Sequence, residues 1–154
     1  MSEEITNGAG GECPFAPEEA EFVRRFEGCE LPAAEFPHRE HVRLAWLYLR
    51  QCGAPAEALA RFSTGLKRFA AFNGKPDLYH ETITWAYILL INERAARAGR
   101  AQGWEEFAAS NADLLDWHNS VLKTYYREET LNSALAKKVF LLPDRGEGVP
   151  GSGR

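Results

Sequence analysis

Apolar residues recur at helical spacing along most of the chain, and no strand-like alternation of useful length interrupts them. Phe22, Val23 and Phe26 form the buried side of a first predicted helix, from Pro17 to about Glu27, which Gly28 and Pro32 end. A second helix opens at Pro37, where proline is tolerated because a first-turn amide has no helical partner. It runs to Cys52 and stops at Gly53. Between Val42 and Leu49 almost every residue except Arg43 is apolar, so this helix is expected at the centre of the core. Helix three opens at Pro55, carries Leu59, Phe62, Leu66 and Phe69 at steps of three and four, and breaks at Asn73-Gly74. Asp77 is the expected N-cap of helix four, over residues 78–99. Helix five spans 104–126 with an interruption near Ser110-Asn111, and it places Leu114, His118, Leu122 and Tyr125 on one side. A short last helix runs from about Leu131 to Phe140. The pattern predicts an all-α, up-and-down bundle of five to six helices in one domain, 17–144. Tails at 1–16 and 145–154, rich in Gly, Ser, Glu and Pro, are expected to be disordered.

The pattern has a consequence for the polar residues. Short connections favour antiparallel neighbours, so helices two and four should point the same way and start at one end of the bundle. His38 and His41 lie in the first turns of helix two, three residues apart and so about 5–6 Å between Cβ atoms. His80 and Glu81 open helix four, and Tyr125-Tyr126 ends helix five at the same side. Three of the four histidines are therefore expected to converge through topology. An imidazole near a helix N-terminus is favoured in its neutral form, the form that ligates a metal or accepts a proton. His118 is expected in the core, and Trp46, Trp85, Trp117, Tyr48 and Tyr87 are spaced for packing.

Composition narrows the classes. With 154 residues, 45% hydrophobic and 26% charged, the chain can bury a core of ordinary size without covalent staples. A net charge of −4 with mixed signs argues against a nucleic-acid partner. The longest apolar stretch, around Ile88 to Ile91, is too short to span a bilayer. Cys13, Cys29 and Cys52 form no CxxC pair, and the polar start lacks a signal segment, so a cytoplasmic location is expected.

The segment from Phe36 to Leu49, with Tyr79 to Thr84, resembles a family of small uncharacterised bacterial all-helical proteins. That family carries F-x-H-x-[DE]-H-[VL] and Y-H-E-T-I-T motifs. The resemblance extends over about residues 36–144, where Tyr125-Tyr126 and Pro143-Asp144 match its C-terminal part. Arg127 stands where a serine is expected after the paired tyrosines. The resemblance implies that His38, Glu40, His41, His80, Glu81 and Thr82 occupy the family's distinctive positions; it brings no activity with it.

These residues point first to a small-molecule enzyme. His38, His41 and His80 are the candidate ligands of a divalent metal, Zn²⁺, Fe²⁺ or Ni²⁺, with positions left for substrate. Without a metal, His41 and His80 are an acid/base pair. Glu81 is the candidate general base, and Glu40 and Tyr126 are further catalytic candidates; Thr82, Thr84 and Arg43 would orient substrate. Lyase, isomerase, cyclase and hydrolase chemistry all remain open. The alternative is a non-catalytic helical module that binds a small ligand or a partner protein. There the histidines tie helix ends together. The expected partner is a small molecule, and self-association as a homodimer stays open.

Overall fold

The computed structural model describes residues 15–145 and contains helices and turns but no strand among them. Most of both predicted tails lies outside the described residues. Phe15 and Ala16 are described, however, and Phe15 packs against the core while Ala16 caps the first helix.

Helix α1 is Pro17–Glu27. Proline sits in its first turn, and the Glu19 carboxylate reaches back to the Ala16 amide at 3.0 Å. The helix leaves through a Schellman turn: Glu30 N–H donates to Arg25 O and Cys29 N–H to Phe26 O. Cys29, with φ 55°, takes the left-handed position there, one residue beyond the expected Gly28. Helix α2 is His38–Gln51, and Leu44, Ala45 and Leu47 along it are fully buried. Helix α3, Pro55–Phe72, ends in the same motif, with Gly74 at φ 71° in the left-handed position. Gly65 in α3 has a different purpose: a Cβ there would lie 2.6 Å from Phe26 Cε1, so glycine lets α1 approach closely.

Helix α4 is Glu81–Ala98, and its N-cap is His80, whose side chain accepts from the Ile83 amide. Asp77, the expected cap, instead lies in a 3₁₀ turn over Pro76–Leu78. Helices α2, α3 and α4 pack on one another and form the centre of the molecule.

The predicted fifth helix is interrupted at Ser110-Asn111, as expected, and is divided again beyond Leu115. Helices α5, Trp104–Ser110, and α6, Ala112–Leu115, are followed by a turn and a 3₁₀ segment, Val121–Thr124. Polar side chains along this stretch take over backbone groups that a continuous helix would pair internally. Buried Asn111 donates from Nδ2 to Phe107 O, Asp116 accepts from the Asn119 amide, and Ser120 accepts from the Leu122 amide. His118 is thereby exposed in a turn rather than buried on a helix face. Trp117 beside it, read as core, is 51% exposed. The last predicted helix is likewise two short ones, α7, Glu128–Leu131, and α8, Ala134–Lys138, separated by Ser133, which caps α8. In all, eight α-helices make an all-helical assembly among the described residues. None of them is long and apolar enough to cross a membrane.

Candidate functional site

Helices α2 and α4 run in the same direction. His38 at the start of α2 packs edge-on against Tyr87, with ring centroids 4.9 Å apart. Arg50 near its end donates to the carbonyls of Arg100 and Gln102, just beyond α4. The helices are parallel but staggered, because His38 meets the second turn of α4 rather than its start. His80 precedes Tyr87 by a rise of about 10 Å along the helix axis.

The hydrogen bonds show where each imidazole is directed. A carbonyl oxygen carries no proton, so a ring nitrogen facing one must donate. His38 Nε2 donates to Leu114 O at 2.8 Å, and the ring also touches Trp117. His41 Nδ1 donates to Pro37 O at 3.0 Å, and its ring stacks on Phe36 with centroids 3.9 Å apart. His80 Nε2 donates to Leu131 O at 2.7 Å, while its Nδ1 accepts the Ile83 amide at 3.1 Å. Three histidines thus meet three different segments. His38 Nδ1 and His41 Nε2 remain unprotonated, on rings three residues apart along α2 that pack against different segments. Burial lowers the pKa of His38 and holds that of His41 at about 4, so both rings are neutral at pH 7. Among the described residues, no three His, Cys, Asp or Glu side chains are grouped so as to hold a metal ion.

Glu81 is surrounded by donors. Its Oε1 accepts from Tyr79 OH at 2.9 Å and from Trp85 Nε1 at 2.5 Å, and Lys67 Nζ stands 3.6 Å from Oε2. A carboxylate with so many donors is held in place as an acceptor within the fold. Burial and the bond to Glu81 push the Tyr79 phenol well above its ordinary range. Thr82 is fully buried: its hydroxyl proton is shared between Ala136 O and Val139 O, and its oxygen accepts the Leu141 amide at 3.1 Å. Thr84 is buried beside it. Tyr126, also buried, donates to Leu141 O at 2.7 Å, and desolvation pushes its phenol up to about 12.

Together these contacts make a fastening. Residues 128–145 form a strap over the start of α4, held by His80, Thr82 and Tyr126 and by Phe140 stacked on Trp85. Asp144 completes it, accepting from the Arg127 amide at 2.9 Å and from Thr130 Oγ1, which supplies the cap that the first turn of α7 lacks. The Glu40–Arg43 pair lies apart from this group: Arg43 Nη1 meets Glu40 Oε2 at 3.2 Å and its guanidinium covers Phe22.

A second polar group lies between α1, α2 and α3, and the sequence pattern did not single it out. Glu27 Oε1 accepts from Tyr48 OH at 2.8 Å and from Arg61 Nη2 at 2.6 Å, beside a hollow of about 310 Å³. Tyr48 reads as core in sequence; the recurrence of Arg61, Thr64 and Arg68 at steps of three and four was the available signal. The chain matches no family model, no curated protein and no solved structure.

Proposed function

We propose that this chain is a non-catalytic helical module that binds a small ligand, and that its histidine motifs are fastenings of the fold. One observation carries this reading: both ring nitrogens of His80 are engaged, one capping α4 and the other holding the strap. An imidazole so placed can neither ligate a metal nor relay a proton without releasing one of those bonds. Glu81, Thr82 and Tyr126 are similarly taken up by contacts within the protein.

Unfolding in urea tests the reading. His80→Ala should lose about 1–2 kcal/mol, and His80→Asn, whose side chain can still cap, should recover much of it. Metal analysis of untagged protein belongs beside it. Stoichiometric metal in the wild type that disappears from a folded His80→Ala variant would overturn the module reading.

A second reading, a small-molecule enzyme, is favoured by the two neutral imidazoles of His38 and His41. The hydrogen bonds to Leu114 O and Pro37 O fix their tautomers and leave one lone pair on each. With half-buried Glu40 nearby they could move protons in an elimination or isomerisation, or offer two ligands to Zn²⁺, Fe²⁺ or Ni²⁺. A rise in melting temperature on adding one of these ions, absent in His41→Ala, would favour it.

A further inference from the structure

We infer that the hollow between α1, α2 and α3 binds a small molecule carrying one oxyanion group, a carboxylate or a phosphate. The inference rests on the module reading and adds a location and a ligand chemistry to it. Its volume, about 310 Å³, is at the small end of the range of ligand sites. Glu27, Tyr48, Arg61, Thr64, Gly65 and Arg68 are among its lining residues.

The charges there do not balance, and the imbalance names the ligand. Glu27 is neutralised by Arg61, whose guanidinium carbon lies over the Tyr48 ring, 4.7 Å from its centroid, and which donates onward to Gln51. Arg68 donates from Nη1 to the backbone carbonyl of Glu27, at the end of α1, and has no carboxylate partner among the described residues. Its remaining N–H groups have no protein partner among the described residues and stand exposed at the rim of the hollow. A guanidinium presents paired donors that match a carboxylate or phosphate in a fork.

The surroundings are built to keep that geometry. Thr64 stands four residues before Arg68 on the same face of α3 and adds a hydroxyl to the rim. Gly65 seats Phe26 of α1 against α3 without filling the hollow. Buried Tyr48, its hydroxyl tied to Glu27, makes a rigid floor. A cationic ligand would be repelled by the Arg68 charge, and an uncharged one would gain nothing from it.

Titration of the ¹⁵N-labelled protein with inorganic phosphate and with acetate, at constant ionic strength set by chloride, tests this. The expected result is saturable shifts at the amides of 27, 48 and 61–68, half-complete below about 1 mM for the better anion. Arg68→Gln, a change of an exposed side chain, should weaken binding about tenfold or more while melting near the wild-type temperature. Which anion saturates first tells a carboxylate from a phosphate ligand. Shifts that do not saturate, that centre on a second hollow lined by Lys123 and Arg145, or that persist in Arg68→Gln would overturn the site. Those outcomes leave the module reading standing, since that reading fails on metal content and on the His80 variants.

Discussion

His41 shows how a single residue is tuned by its surroundings. The start of a helix was expected to hold its imidazole neutral, and in the structure burial, with the ring stacked on Phe36, is the main cause of its lowered pKa. Its folded pKa of about 4 lies below the ordinary 6.5. Between those values the unfolded chain binds more protons than the folded one, so stability rises with pH. The contribution is fully present above about pH 6.5 and is lost as pH falls through about 4. His38 acts in the same direction. Melting temperatures at pH 7 and pH 4.5 should therefore differ more in the wild type than in His41→Phe, which keeps the stacking surface but does not titrate. Carboxylates protonate in the same range in both proteins, so an equal drop in the two would refute the account. That His38 and His41 both stand at the start of α2 was legible in the sequence; that His38 reaches Leu114 O was not, because the partner is 76 positions away.

At the scale of the element, the ends of helices are decided by backbone conformation. α1 and α3 end in the same Schellman turn, yet Gly74 fills the left-handed position in one and Cys29 in the other. A side chain in that conformation costs about 1 kcal/mol relative to glycine. Cys29→Gly should accordingly raise stability by about 1 kcal/mol, read as a higher urea midpoint with an unchanged slope. A lower midpoint would show that the thiol makes contacts worth more than the strain. The break at Asn73-Gly74 was legible because glycine announces it; at α1 the signal pointed to Gly28, whose φ of −83° needs no glycine. Helix five was the larger departure. The interruption at Ser110-Asn111 was legible, but beyond it the apolar spacing supports a continuous helix to Tyr126, and there Asp116 and Ser120 bind local backbone and divide it. Where helix propensity and local capping compete this closely, tertiary contacts decide, and here the Leu114 carbonyl is taken by His38.

Across the whole molecule, the chain closes on itself through the strap. Thr82, on the second residue of α4, serves three backbone groups of residues 136–141 from a fully buried position. Thr82→Val keeps the shape and leaves those groups unpaired, which should cost about 1–3 kcal/mol. The loss should appear as faster hydrogen exchange over residues 131–144, with α2 and α3 little changed. Uniform acceleration throughout would mean that the strap does not open separately. Trp85 provides an optical reading, because opening removes its stacked partner Phe140.

The amino-acid sequence by itself determined the helical class, the extents of α1 to α4 within a few residues and the common direction of α2 and α4. Apolar periodicity, proline and glycine punctuation and short connections are local signals, and they survive without knowledge of neighbours. The tertiary structure decided the stagger of α2 against α4, and with it the separation of His38 from His80. It also decided that the Tyr79 to Thr84 segment receives the strap, and that Glu27, Tyr48, Arg61 and Arg68 meet at one hollow. Each of these depends on contacts between distant residues, whose partners follow from how the helices pack rather than from spacing along any one of them.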